Sequence, residues 1–220
     1  KLQPLLFHLH SVAEEHGNFM RLEWNTIYQL IDLLVGNVGW RQNMQTFDAA
    51  RISITAPDSK IKFDYAYLDQ ILRVLGRDHP AGEWDSDSHL LHLQWQARLD
   101  LTITGYSYLL DFDNARANSS ATTGIAFTGK RALTDDTTAQ YRFEFAQQTD
   151  YGTNPVNYEA DYWCFEAGIT HQGWTFLGGY EDLGSDRGFG FQTPLATGHA
   201  FNGWADLILG TPGNGLADRY

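Results

Sequence analysis

The chain has 220 residues and is 43% hydrophobic but only 19% charged, which excludes a wholly disordered polymer. Its 15 Lys and Arg against 27 Asp and Glu give a formal net charge of -12, so no broad basic surface and no nucleic-acid partner is expected. A single cysteine, Cys164, excludes an internal disulfide framework, and 14% aromatic residues with 21 glycines favour sheets joined by tight turns over a helical bundle.

The opening KLQPLLFHLHSVAEEHGNF lacks the continuous apolar core of a secretion signal, and Lys1 is no native initiator, so processed or fragmentary material is expected. His8 and His10 lie in a polar stretch without a HExxH arrangement, so no metal site is expected there. From Asn18 to Val35, Met20, Trp24, Ile27, Ile31 and Leu34 recur at helical spacing, which predicts an amphipathic helix. Residues 1–35 are therefore read as an atypical, helical N-terminal segment ahead of a β domain over residues 36–220.

From Phe47 the period becomes two. Ile52 and Ile54 alternate with Arg51, Ser53 and Thr55, and Ile61, Phe63, Tyr65 and Tyr67 with Lys62, Asp64 and Ala66, giving a hairpin over Phe47–Asp69 that turns at Pro57-Asp58. A loop over Gly76–Ser88 precedes a strand in which Leu91, Leu93 and Trp95 alternate with His92, Gln94 and Gln96. After a short reversal at Ala97-Arg98, Leu99, Leu101 and Ile103 share a face. The apolar parity then switches around Gly105 to Tyr106, Tyr108, Leu110 and Phe112, which predicts a bulge. Further strands are expected at Ala121–Gly129, Ala139–Gln148, Tyr158–Gly168 and Gly173–Asp182. The fold class is all-β, an antiparallel meander without room for βαβ units.

No window reaches the roughly 18 apolar residues of a membrane helix, whereas a barrel strand needs only about 9 to 11 residues of alternating polarity. One apolar, aromatic face opposite a polar face suits a two-sheet sandwich in water and equally a barrel in a bilayer, and periodicity does not choose between them.

The segment GNVGWRQNMQTFDAARI at Gly36–Ile52 resembles the alginate-export family of outer-membrane β-barrels. So do SHLLHLQW, GYSYLLDFDNARANSSATTGI and FAQQTDYGTNPVNYEADYWCFEAGI, and above all GFGFQTPLATGHAFNGWADLILGTPGNGLADRY at Gly188–Tyr220. The resemblance implies a porin-like transmembrane β-barrel, or part of one, in the outer membrane of a Gram-negative bacterium. By the same resemblance such a barrel is expected to pass a polar solute or polysaccharide passively, with outer-membrane lipid and a polar solute or glycan as partners. Alginate itself is not carried over, because a polyanion conduit calls for many lumenal Arg and Lys. The match stops before the family barrel would be complete, so either further strands or an additional chain are expected to close the wall, or the architecture is a smaller, altered one.

The lumen or solute-contact candidates are the charged residues opposite the apolar face: Arg51, Lys62, Asp64, Arg98, Asp100, Arg142 and Glu144, each of which reads equally well as the hydrated face of a sheet. Pro194 would interrupt a central ladder, which makes Gln192, Thr193, His199 and Trp204 candidates for a folded-in loop or constriction. No catalytic residues, cofactor or metal are expected. Calcium in acidic outer loops is the weaker alternative, at Asp78, Glu83, Asp85 and Asp87 or at Asp111, Asp113, Asn114 and Asn118, all oxygen donors without the EF-hand order. His89 and His92, three apart on a strand, face opposite sides. Two other functions remain open: a soluble carbohydrate-binding β-sandwich with Trp163 or Trp174 as sugar platforms, and a non-conducting structural component of a multichain envelope complex.

Overall fold

The computed structural model describes residues 19–24, 29–31, 35–36, 45–56, 58–196 and 211–219. The described strands are β1 (Phe19–Trp24), β2 (Gln29–Ile31), β3 (Val35–Gly36), β4 (Thr46–Ala56), β5 (Ile61–Leu72), β6 (Glu83–Arg98), β7 (Leu101–Leu110), β8 (Ser120–Thr134), β9 (Thr137–Asp150), β10 (Glu159–His171), β11 (Trp174–Leu183), β12 (Ser185–Asp186), β13 (Phe189–Gly190) and β14 (Leu216–Arg219). Ten of them form one antiparallel sheet in the order β1-β4-β5-β6-β7-β8-β9-β10-β11-β14, while β2-β3 and β12-β13 are small separate pairs. From β4 to β11 each strand pairs with its neighbour in sequence, as expected of a meander. The ends of this sheet, β1 and β14, do not pair with each other, so it is an open wall among the described residues.

The helix expected over Asn18–Val35 is not present in the described part of that segment. Phe19–Trp24 is a strand whose backbone pairs with β4, from Phe19 opposite Thr55 to Trp24 opposite Ala50. From Met20 to Trp24 the sequence MRLEW also alternates apolar and polar at period two, and the edge of β4 supplies the strand with backbone partners.

Connections alternate in length. At one end β6 and β7 are joined through Leu99-Asp100, β8 and β9 through Asp135-Asp136, and β10 and β11 through Gln172-Gly173, where both residues have positive φ. At the other end lie the longer loops 73–82, 111–119 and 151–158, and the described residues 184–196 that follow β11. The loop expected over Gly76–Ser88 is shorter than the sequence suggests: β6 begins at Glu83, and Trp84, Ser86 and Ser88 already point to the inner face.

No bulge occurs at Gly105. The pairing of β7 runs unbroken from Leu109 opposite His89 to Ile103 opposite Trp95, and from Thr102 opposite Thr128 to Leu110 opposite Ser120. What changes is the polarity of each face along the strands. Near the short turns the inner face carries Thr102, Thr104, Lys62, Gln94, Arg142 and Glu166, and the outer face carries Trp95, Ile103, Phe127, Phe143 and Phe165. Towards the long loops the outer face becomes Ser107, Thr123, Gln147 and Asp161, while the inner face becomes Tyr106, Tyr108, Leu110 and Ala146.

The inner apolar half is the core of the molecule. Phe47, Leu68, Ile71, Leu90, Tyr108, Phe112, Tyr162 and Leu183 are buried there together with Phe191 and Leu195, which come from the long 184–215 connection. Residues 191–196 of it therefore lie across the inner face as a strap. Full burial of two side chains of this size stabilises it by about 1.5–3 kcal/mol each.

Gly124 carries one close approach that links fold to site. It sits opposite Tyr106 on β7, and a Cβ there would fall 2.4 Å from the Tyr106 ring. The ring cannot yield freely, being buried, stacked on Tyr108 at 5.0 Å and bonded through its hydroxyl to Glu144. Gly124→Ala is expected to destabilise the sheet by about 1–3 kcal/mol, the usual range for overpacking, read as a lower urea midpoint by tryptophan fluorescence.

Candidate functional site

The polar half of the inner face holds two buried carboxylates, each clamped by cations from the same or the next strand. Asp64 on β5 is only 1% exposed; its Oδ1 lies 2.5 Å from Arg51 Nη2 and its Oδ2 lies 3.1 Å from Lys62 Nζ. Ser53 donates its hydroxyl to Asp64 Oδ1 at 2.6 Å. The antiparallel register brings these groups together, because Ser53 pairs with Asp64 and Arg51 is the next inward position on β4. A carboxylate taken out of water at this depth costs several kcal/mol unless paired and hydrogen-bonded, and here both oxygens are engaged.

Glu144 on β9, also 1% exposed, repeats the device. Arg142 Nε donates to Glu144 Oε2 at 3.0 Å, Arg142 Nη2 bonds the same oxygen, and the Tyr106 hydroxyl donates to Oε1 at 2.6 Å. Arg142 Nη1 also lies 3.6 Å from Glu166 Oε2 on β10. Along the ladder, Lys62, Gln94, Thr104, Ala126, Glu144 and Cys164 follow one another at paired positions from β5 to β10, so the charged and polar groups form a row across the wall.

Arg98 and Asp100 stand apart, at the β6–β7 turn. Arg98 Nε is 3.2 Å from Asp100 Oδ1, and Arg131 Nη1 is 3.9 Å from Asp100 Oδ2. The seven charged candidates thus fall into three groups: Arg51, Lys62 and Asp64; Arg142 and Glu144; Arg98 and Asp100. Parity alone missed Tyr106, Glu166, Ser53 and His92, all on the inner face. Continuing the even-numbered positions of β6, β7 and β10 would have found three of them, and the supposed parity switch at Gly105 hid Tyr106. His89 and His92 lie on opposite faces as expected: His92 is buried, while His89 Nδ1 sits 2.9 Å from the Tyr65 hydroxyl on the outer side.

Of the folded-loop candidates, Gln192 and Thr193 lie in the strap, and His199 and Trp204 fall outside the described residues. Gln148 on β9 accepts from the Gln192 N–H at 2.6 Å through Oε1 and donates to the Gln192 carbonyl at 2.8 Å through Nε2. At the far side, Gln45 Nε2 donates to the Leu195 carbonyl at 3.2 Å, and the Arg73 guanidinium donates to the Pro194 carbonyl. Arg73 also lies 4.0 Å above the Trp84 ring; burial pushes its guanidinium down to about 10, which leaves it charged at neutral pH.

The acidic loops use their oxygens on one another's backbones. Asp111 Oδ1 accepts from the Thr153 N–H and hydroxyl and from the Ser119 hydroxyl, and Asn114 bridges the Glu83 carbonyl and the Asp85 N–H. Among the described residues no three His, Cys, Asp or Glu gather as a metal cluster. Cys164 is buried beside Glu166, with its Sγ 3.9 Å from Oε2. On the outer face Trp163 and Trp174 belong to an exposed aromatic belt with Phe143, Phe145 and Phe165, Trp174 being 74% exposed. A soluble sandwich would bury this belt under a second sheet, and the further sheets among the described strands are the two-stranded pairs β2-β3 and β12-β13.

No protein-family model and no curated protein matches the chain. Solved structures do match its fold. OccAB2 of Acinetobacter baumannii superposes with a TM-score of 0.64 at 16% identity over 80% of this chain and 47% of its own. OpdL of Pseudomonas aeruginosa gives 0.64 at 11% over 80% and 50%, and OprD of the same organism gives 0.61 at 13% over 78% and 42%. The chain spans about half the length of these structures. They are outer-membrane porins of the Occ and OprD type, so the resemblance to the alginate-export family gains no support from them. The coarser expectation of a porin-like β-barrel fold holds, with the described strands corresponding to part of such a barrel.

Removing a single member of a buried ion pair strands its partners. Asp64→Ala leaves Arg51 and Lys62 without their shared carboxylate and is expected to cost about 3 kcal/mol, checked by urea unfolding against a parallel Asp100→Ala variant. The Asp100 carboxylate is more exposed, and its loss is expected to cost about 1 kcal/mol or less.

Proposed function

We propose that the chain forms part of the wall and the inner strap of an outer-membrane channel in a Gram-negative bacterium, which passes small polar solutes passively. The observation that carries this reading is the two-sided sheet: an exposed aromatic belt outside and ion-paired groups inside, on strands of 10 to 16 residues from β4 to β11. Such strands reach or exceed the roughly 9 to 11 residues needed to cross the hydrocarbon region, so the polar ends of the longer ones project beyond it. By the general rule for these barrels, the short turns face the periplasm and the long loops the exterior. An open edge is not stable in lipid, so the complete channel closes β1 and β14 with further strands of the same polypeptide or another chain.

Alternating carboxylates and cations across the inner face set up transverse fields that suit polar and dipolar solutes of either sign. Arg51 and Arg142 are each held by a carboxylate, so neither offers the uncompensated positive charge a polyanionic polysaccharide calls for. Transport without covalent chemistry needs no catalytic residue, and we read the protein as a channel and not an enzyme.

The test is reconstitution of the native polypeptide carrying this chain in planar bilayers, where stepwise, salt-dependent conductance is expected. A companion variant, Phe165→Arg, places a cation on the aromatic belt. It is expected to cost about 2–4 kcal/mol in lipid and to deplete the membrane-inserted protein. A soluble protein that leaves this belt in water would tolerate the same exposed substitution within about 0.5 kcal/mol. Absence of channels together with indifference to Phe165→Arg would overturn the proposal.

A further inference from the structure

The strap crosses the inner face between anchors on opposite sides of the curled sheet. We infer that Gln148 is the positioning residue that fixes the strap, and with it the aperture of the channel; this rests on the channel reading above. The Gln148 amide treats the backbone of Gln192 as a β partner would, accepting from its N–H at 2.6 Å and donating to its carbonyl at 2.8 Å. Its remaining capacity is also used: Oε1 accepts from the Tyr158 hydroxyl at 2.9 Å and Nε2 donates to Thr122 Oγ1 at 2.8 Å. The side chain is 1% exposed, so all four bonds are made where water does not compete.

This clamp answers a specific need of the strap. Between Phe191 and Leu195 the chain has left the ladder of β12 and β13, and Pro194 offers no N–H. Its backbone is satisfied from the wall: by Gln148 at Gln192, by Arg73 at the Pro194 carbonyl and by Gln45 at the Leu195 carbonyl. Phe189 and Phe191 pack on Tyr158 and Tyr162 at 5.1 and 5.5 Å, which holds the Gln148 end against β10. Apolar burial keeps the strap on the wall, but it is not directional; the two-point amide contact fixes where along the wall the backbone lies. Because the contacts at Gln192 are to its main chain, the identity of residue 192 is expected to matter less than that of residue 148.

The experiment uses the native polypeptide in planar bilayers and in liposomes challenged with neutral sugars of increasing size. Gln148→Leu, close in volume and unable to clamp, is expected to raise single-channel conductance about twofold and to admit larger sugars than the native protein. Gln192→Ala keeps both main-chain bonds and is expected to retain the native conductance and size limit. If Gln148→Leu fails to accumulate in the membrane, Arg73→Met reports on the same strap from its other end, with the same widening expected. A folded, inserted Gln148→Leu or Arg73→Met with native conductance and native size limit overturns the inference while leaving the channel reading intact. Equal widening by Gln192→Ala and Gln148→Leu overturns the assignment to Gln148. A native protein that inserts but never conducts overturns the channel reading and this inference with it.

Discussion

The structure depends on an exchange of polarity between the two faces of one sheet, taking place partway along its strands. Below the exchange, apolar side chains point outward and charged ones inward; above it, the outer face turns polar and the inner face packs a core. The exchange needs no break in the ladder, since the register runs unbroken through Tyr106, Gly105 and Thr104. It requires an inner face with two different occupants: paired ions near the short turns, and protein near the long loops. The strap is that protein, and Phe191 and Leu195 are the side chains the apolar inner half was built to receive.

Charge pairing follows from the same constraint. A curled sheet places inward groups closer together than outward ones and removes them partly from water. Asp64 and Glu144 are thus tolerated at 1% exposure because Arg51, Lys62, Ser53, Arg142 and Tyr106 complete their shells. The pairing also ties neighbouring elements: Arg51 and Asp64 join β4 to β5, Tyr106 and Glu144 reach from β7 across β8 to β9, and Arg142 and Glu166 join β9 to β10. Gly124 lies under the second of these links, where the absence of a side chain lets the Tyr106 ring pass over β8 to its carboxylate. The three porin structures compared above share the fold at 16% identity or less.

Much of the wall was legible from alternation. The hairpin of β4 and β5, the meander to β11 and the inward placement of Arg51, Lys62, Asp64, Arg142 and Glu144 all follow from parity. Three readings failed for separate physical reasons. Phe19–Trp24 fits both a helical and a strand period, and only the free edge of β4 decides for the strand. The change of apolar parity at Gly105 signals a bulge if both ends of a strand share one environment, and here they do not. The start of β6 was missed because Trp84, Ser86 and Ser88 alternate against Asp85 and Asp87, a pattern of acids and serines that resembles a hydrated loop until its inner face is seen to be buried.

The sequence by itself determined the secondary structure class, the meander order from β4 to β11 and, away from Gly105, which side chains share a face, because a strand's period of two is a local property of the backbone. Only the tertiary structure decided what each face meets. Parity cannot say that Asp64 finds Arg51, that Tyr106 reaches Glu144 over a glycine, or that Gln148 grips a backbone 44 residues further along the chain. Those contacts depend on the register between strands and on the return of the strap across the sheet, and both are set by packing between segments distant in sequence.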